Sequence, residues 1–160
     1  KVNDVVPGYL ATGSYEPRPS VRTISNAMDV GAPSNFARME EIFGKLWERM
    51  KGRIAGYGTD DVATRAAIRA IHSETGYLMD PHGAVGWLAA EAWREEHPGS
   101  STVVLETAHP AKFLDVMDEE LGAGAVEIPE RLACLADEEK VAVSMSSDEE
   151  EFLGWLRENT

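Results

Sequence analysis

The stretch Val103-Val104-Leu105-Glu106-Thr107-Ala108-His109-Pro110 decides the fold of this chain. Its apolar run is typical of a buried strand, and the proline after His109 is typical of a helix start. Open α/β folds place their ligands where a strand ends and a helix begins. The sequence therefore predicts an α/β fold in which Thr107 and His109 lie at the ligand-facing end of a strand.

The overall composition limits the classes of partner. The chain has 160 residues, 43% of them apolar, which is enough for one domain with its own core. The net charge of -13 argues against nucleic acids and anionic membranes, because both require a basic protein surface. Acidic clusters beside apolar periodicity predict solvated helix faces rather than metal sites.

The single cysteine, Cys134, predicts a reducing, cytoplasmic location, since no disulfide can form within the chain. Its apolar neighbours predict a packed thiol. No apolar run approaches the length of a membrane span, and residues 1–7 lack the apolar region of a signal peptide. The chain has no initiator methionine, so a targeting segment removed from before residue 1 stays an open alternative.

The periodicity predicts one partial domain over residues 1–160, with a loop-rich entry (1–33), an α/β body (34–124) and a helical tail (125–160). Helices are predicted at 34–52, where the whole apolar stripe should be core, and at 59–74, 80–97, 109–122 and 129–135, with a last one capped by Ser146 or Ser147. One strong strand is predicted at 102–106 and weaker ones at 20–24, 54–57 and 141–145.

The sequence thus predicts few strands for several helices. A strand as apolar as Val103 to Leu105 needs neighbours on both sides. We therefore expect that the sheet is incomplete and that part of it lies outside this chain. An unpaired sheet edge would favour a homodimer or strand exchange.

Three blocks resemble the C-terminal part of the longer type of threonine synthase. They are Ser25-Asn26-Ala27-Met28-Asp29-Val30-Gly31-Ala32-Pro33-Ser34-Asn35-Phe36-Ala37-Arg38, Asp80-Pro81-His82-Gly83-Ala84-Val85 and Glu106-Thr107-Ala108-His109-Pro110-Ala111-Lys112-Phe113. Asn3-Asp4-Val5-Val6-Pro7 and Pro17-Arg18-Pro19-Ser20 also fit. The resemblance covers nearly all of the chain in order and is least distinctive after about Gly124.

The resemblance implies a pyridoxal 5′-phosphate enzyme, a lyase of threonine biosynthesis that converts O-phosphohomoserine and water to threonine and phosphate. It implies the fold type II of tryptophan synthase β, in which the cofactor lies between two domains. The Schiff-base lysine and the phosphate-binding loop of such enzymes lie upstream of the matched region. None of the five lysines has the surroundings of that lysine: Lys1, Lys45, Lys51, Lys112 and Lys140.

We therefore expect a C-terminal fragment that contains no catalytic lysine, is inactive alone and needs the missing N-terminal portion. Two alternatives remain. A free-standing, non-catalytic binding domain of the same fold would also lack the lysine. A metal-dependent hydrolase is weaker, because neither the carboxylates nor the four histidines have a convincing ligand spacing.

The resemblance implies four cofactor-binding candidates. Thr107 is expected to bind the pyridine nitrogen through its hydroxyl, against the alternative of a helix cap. His109 either faces the cleft or caps its own helix. Asp80 is predicted to be a helix N-cap, placed near the cofactor ring by the resemblance. His82 lies in the first turn of that helix, where the helix dipole favours a neutral imidazole.

Five polar residues are candidates for the substrate cleft. Ser25, Asn26 and Asp29 lie in a loop, where short polar side chains either support a cleft wall or stabilise turns. Asn3 and Asp4 are implied to lie on the substrate side. No metal site is predicted.

Overall fold

The computed structural model describes residues 2–26 and 29–159. Lys1 and the Ala27-Met28 pair of the first quoted block lie outside the described residues. The chain forms two compact units, one up to Glu127 and one from Ile128 onward. The first contains α1 (Val5–Thr12), α2 (Phe36–Ile42), α3 (Trp47–Lys51), α4 (Asp61–Thr75), α5 (Pro81–Glu96), a 3-10 turn (Pro110–Phe113) and α6 (Leu114–Leu121). The second contains α7 (Glu130–Ala133) and α8 (Glu149–Asn159).

Helices α4 and α5 form as the sequence predicts. Asp60 caps α4 by accepting a hydrogen bond from the Ala63 N–H at 3.0 Å. Gly76 ends that helix in the left-handed region with φ 73°, which glycine adopts without a steric penalty. Asp80 caps α5 immediately before Pro81. Local signals suffice here because cap, proline and terminal glycine all agree with the apolar period.

The predicted strands are not formed anywhere in residues 2–26 and 29–159. A strand is defined by its ladder, and none of the segments 20–24, 54–57, 102–106 and 141–145 has a ladder partner among these residues. The structure is therefore helix-rich, which corrects the strand assignments.

Residues 102–106 nevertheless keep the side-chain alternation of an extended chain. Val103 and Leu105 are 87% and 78% exposed, whereas Val104 is half-buried. A Cβ placed on Gly86 would lie 3.2 Å from Val104, and one placed on Gly83 would strike the Glu106 carboxylate. Gly86 lies against Val104, whereas Gly83, earlier in α5, lies against Glu106, later in the segment. The segment therefore runs antiparallel to α5 and covers it with one face.

The predicted helix at 34–52 is two helices, α2 and α3. Gly44 and Lys45 both adopt positive φ, 63° and 57°, and end α2. The expected core stripe is broken in the same way, since Ile42 is 76% exposed and Leu46 is 49% exposed. Lys45 accordingly lies in the turn rather than on a helix.

Two further expectations for the first unit need correction. The entry region 1–33 contains the helix α1, and its Tyr9 and Leu10 pack with Phe36 and Met50 in a small core. The helix expected at 109–122 begins as a 3-10 turn and becomes α-helical only at Leu114.

In the second unit, Cys134 is exposed rather than packed. Asp148, not Ser146 or Ser147, accepts the hydrogen bond from the Glu151 N–H at the start of α8, at 3.0 Å. Phe152 of α8 is 46% exposed.

Helix α4 packs against α5 and α6, and this packing fixes the first turn of α5. Ile68 of α4, Ala84 of α5 and Met117 of α6 are almost fully buried, as is Phe113 in the 3-10 turn. Over the described part of the chain, no helix combines the length and apolar character that a membrane crossing requires.

Candidate active site

Asp80 lies at the centre of a buried polar cluster in the first unit. Asp80 is fully buried. Its Oδ1 accepts two hydrogen bonds from His82, one from the backbone N–H at 2.7 Å and one from Nδ1 at 2.8 Å. Burial alone would raise the pKa of Asp80. Hydrogen bonds from Glu106 and from His82 outweigh that effect and hold the pKa below its usual value. Asp80 is therefore ionised and, because it is buried, can act on a ligand only through the residues that it contacts.

Glu106 turns its carboxylate onto the same helix start. Its Oε1 accepts a hydrogen bond from the Asp80 N–H at 3.1 Å, although the residue as a whole is exposed. Gly83 leaves room for this carboxylate, because a Cβ at position 83 would lie 2.1 Å from Glu106 Oε2. Burial of the carboxylate, with the hydrogen bond and the charge of Asp80, raises the pKa of Glu106 to about 7.

His82 carries the cluster to the edge of a cleft. Its side chain is 13% exposed, and its ring packs edge-on against Phe113 with 5.1 Å between ring centroids. Because the ionised Asp80 can only accept, the Nδ1 atom of His82 carries the proton in the neutral ring. Nε2 is buried and has no hydrogen-bond partner within the described residues.

The cleft beside His82 has a volume of about 640 Å³. Asn3, Asp4, Ser25 and Asp29 line it from the entry region. The first turn of α4 lines it from the opposite side, with Asp60, Asp61, Val62 and Thr64. The structure thus brings four of the five predicted substrate-cleft residues to the same cleft as His82.

Hydrogen bonds fix the entry side of this cleft. The Asn3 amide donates to Asp29 Oδ1 at 2.9 Å, and Asp29 also accepts from the N–H and hydroxyl of Thr23 at 2.8 and 2.7 Å. Asp4 forms an ion pair with Arg18 at 2.5 Å. These side chains support the wall, and Ser25 joins them through its backbone N–H, which donates to Thr23 Oγ1 at 3.2 Å.

The remaining candidates lie elsewhere in the first unit. Asn26 is exposed and borders a smaller cavity beside Asp61 and Arg65. His109 accepts a hydrogen bond from the Ala111 N–H on its Nδ1, at 3.1 Å, and so caps the 3-10 turn. It borders a second cavity, of about 300 Å³, together with Glu106.

Thr107 is exposed and lines neither the large cleft nor this second cavity. Its hydroxyl makes no hydrogen bond to any residue in 2–26 or 29–159. The cap of the following turn is His109, so Thr107 does not serve as the helix cap that was its alternative role.

The profile of the family described as "Threonine synthase, C-terminal" matches residues 83–152, which include Glu106, Thr107 and His109. The chain is related to the C-terminal region of threonine synthases. The threonine synthase of Escherichia coli (strain K12) is 40% identical over 139 residues, which are 85% of this chain and 31% of the relative. That of Corynebacterium glutamicum is 33% identical over 168 residues, which cover 84% of this chain and 34% of the relative.

Solved structures of threonine synthase give the same result. The crystal structure of the Escherichia coli enzyme aligns with a TM-score of 0.80 at 34% identity, over 100% of this chain and 36% of that one. The PLP-bound threonine synthase from Brucella melitensis aligns with a TM-score of 0.62 at 27% identity, over 98% of this chain and 38% of that one. This chain therefore spans about a third of the length of the threonine synthases that it matches.

Sequence reasoning missed Glu106 as a member of the site. It treated Glu106 only as the last residue of the predicted strand, and a single acidic residue there is usually solvated. One signal was available: Gly83 occupies the first turn of a helix, where glycine is unfavourable, and this indicates a close approach by another group. Nothing in the sequence identified which group approaches.

Proposed function

We propose that this chain is the C-terminal part of a threonine synthase that converts O-phosphohomoserine and water to threonine and phosphate with pyridoxal 5′-phosphate. The similarity to the Escherichia coli enzyme over the whole chain, at a TM-score of 0.80, is the observation that carries this proposal. The proposal includes a pyridoxal-phosphate fold type II in the complete protein, in which residues 102–106 form a sheet strand.

Thr107 is suited to bind the ring edge of the cofactor. Thr107 carries an exposed hydroxyl without a partner among the described residues, which is what a hydrogen bond to a pyridine nitrogen requires. Pyridoxal 5′-phosphate, when bound, acts as the electron sink of the reaction. A neutral hydroxyl partner leaves the ring nitrogen less protonated than a carboxylate partner would.

His82 is proposed to present the edge of its imidazole to the cleft. Asp80 holds its Nδ1 proton, so Nε2 is the free acceptor. Nε2 is buried in this structure, so it can accept a hydrogen bond from a group in the cleft only after the side chains around it move aside. Asp80 itself is a positioning residue, since it is fully buried.

The charge of the cleft wall suits one end of the substrate. Asp29, Asp60 and Asp61 line it, and Arg22 is the basic residue among its lining residues that the structure describes. An acidic wall attracts the ammonium group of O-phosphohomoserine and repels its phosphate. We therefore assign the phosphate to residues outside this chain, in the remaining two thirds of the relatives' length.

The test is to assay phosphate release from O-phosphohomoserine, with added cofactor, by a protein in which this chain is joined to the missing N-terminal portion. We expect release by the joined protein and none by the 160-residue chain. A joined protein that binds the cofactor but leaves the substrate unchanged would refute the proposed activity and favour a non-catalytic binding domain. The cytoplasmic location and a homodimer remain predictions from the sequence.

A further inference from the structure

We infer that Glu106 is a positioning residue of this site: a proton shared between Glu106 and Asp80 ties the residue before Thr107 to the start of α5 and orients His82. This inference deepens the proposed function and rests on it for the role of Thr107. The sequence did not assign Glu106 a role, and the proposed reaction does not use it.

The geometry of Asp80 leaves one place for this proton. Oδ1 is occupied by the backbone N–H and the Nδ1 atom of His82. Oδ2 is buried and accepts no hydrogen bond from an N–H or hydroxyl group of the described residues. Two carboxyl groups in contact satisfy each other only when one of them is protonated and donates its O–H. Glu106 lies against Asp80: its Oε1 accepts the Asp80 N–H, and the two carboxyl groups are within hydrogen-bonding reach of each other. We assign the O–H of Glu106 as the donor that Oδ2 otherwise lacks.

The proton belongs to Glu106 rather than to Asp80. Asp80 receives two hydrogen bonds from His82, which stabilise its ionised form, and its pKa is lowered. Burial and the neighbouring Asp80 raise the pKa of Glu106 to about 7. One negative charge is therefore shared by the pair up to about neutral pH, as expected for adjacent carboxyl groups.

Other charged groups around Glu106 do not replace this partner. The two cavities that Glu106 borders present Glu74 from α4, Arg94 from α5, Tyr77 from the loop between them, His109 from the 3-10 turn and Glu127 from the end of the first unit. None of these side chains has a hydrogen bond or ion pair to Glu106 in the structure. The titration of Glu106 is therefore coupled first to Asp80.

The shared proton connects two candidate residues from different elements. Glu106 accepts the Asp80 N–H on Oε1 and donates its own proton to Oδ2, while Asp80 Oδ1 accepts from His82. Loss of the proton above neutral pH places two negative charges in contact, and Glu106, being partly exposed, can swing into solvent. The anchor of Thr107 on α5 is then lost, and His82 keeps only its own contact to Asp80.

The test is a titration of the isotopically labelled chain by NMR, from about pH 5.5 to about pH 8.5. We expect the Glu106 side-chain carboxyl and the Asp80 and Thr107 amides to titrate together with a midpoint near the Glu106 pKa of about 7. Glu106→Gln should keep the anchor, because its amide group both donates and accepts, and should remove the step at Asp80 and Thr107. Glu95→Gln, on the exposed side of α5, is the matched control and should retain the step.

A Glu106 carboxyl that titrates near its usual range, or an unchanged step in Glu106→Gln, would overturn the inference. The His82 nitrogen shifts give a second readout, since the neutral ring should carry its proton on Nδ1 in both the parent chain and Glu106→Gln. The titration uses neither cofactor nor substrate. If the chain shows the expected shared step near pH 7 but the joined protein fails the phosphate-release assay, only the proposed function is refuted.

Discussion

Replacing Gly83 with alanine tests how closely Glu106 approaches α5. The added Cβ would lie 2.1 Å from Oε2 and 2.6 Å from Cδ of Glu106, so the carboxylate must move away. The side chain is flexible and partly exposed, and the backbone of α5 therefore need not shift. The cost of the substitution is the loss of the contacts that the carboxylate makes with Asp80.

The expected magnitude follows from two opposing terms. Loss of the hydrogen bonds between Glu106 and the buried Asp80 costs about 2 to 3 kcal/mol, because the ionised Asp80 loses the donor to its Oδ2 and keeps only the two from His82 to Oδ1. The alanine recovers up to about 1 kcal/mol of helix propensity. We expect Gly83→Ala to lower the free energy of unfolding by about 1 to 2 kcal/mol.

Urea unfolding followed by circular dichroism measures this difference. Gly8→Ala is the matched control, because nothing lies within 4 Å of a Cβ at this helical glycine of the same unit. It should stabilise the chain by up to about 1 kcal/mol. In a Glu106→Ala background the cause of the loss is gone, so Gly83→Ala should become stabilising as well. Destabilisation of the same size in both backgrounds would refute the proposed contact.

Three further outcomes are expected. First, the free energy of unfolding should fall by about 1 kcal/mol between about pH 5 and about pH 8. Folding raises the pKa of Glu106 to about 7, so in this range the folded chain holds a proton that the unfolded chain releases. The full pKa shift corresponds to about 3 kcal/mol, which solvent screening of the partly exposed carboxylate reduces. Urea titrations across this range should show a slope in the parent chain and a flatter one in Glu106→Gln. Second, Glu120→Gln should cost about 1 kcal/mol near neutral pH in the same assay, since Glu120 pairs with Arg65 and Arg69, whose hydrogen bonds lower its pKa against the effect of burial. This contribution is present above the unfolded pKa of Glu120 and is lost as the pH falls through its folded value, so an equal cost near pH 2 would contradict the ion-pair explanation. Third, Thr107→Val in the protein joined to its N-terminal portion should reduce kcat far more than the melting temperature, and equal losses in both would assign Thr107 a structural role.

The helices that local chemistry specifies were predictable from the sequence. For α4 and α5, the cap residues Asp60 and Asp80, the proline at position 81 and the glycine at position 76 all agree with the apolar period. The break between α2 and α3 was not predictable in this way, because the apolar stripe continues through Gly44 and Lys45. The strand at 102–106 failed for a different reason, since strand formation depends on a partner and not on the segment itself.

The candidate site was predictable in its parts but not in its connections. The resemblance singled out Asp80 and His82, and the structure joins them by two hydrogen bonds. Asn26 and Thr107 belong to the other two sequence blocks of the resemblance but do not line the cleft beside His82. Glu106 was missed because its role depends on a contact with a residue 26 positions away. Such a pairing is set by the packing of the segment on α5, which no local pattern encodes.

The outward face of the segment at 102–106 has a consequence for handling the protein. Val103 and Leu105 are exposed, and residues 101–107 contain neither lysine nor proline, the residues that commonly protect a strand edge from aggregation. The net charge of -13 keeps separate copies apart at neutral pH by mutual repulsion. That repulsion vanishes as the pH approaches the pI of about 4.7. Mildly acidic buffers should therefore make this exposed segment the starting point of cross-β aggregates.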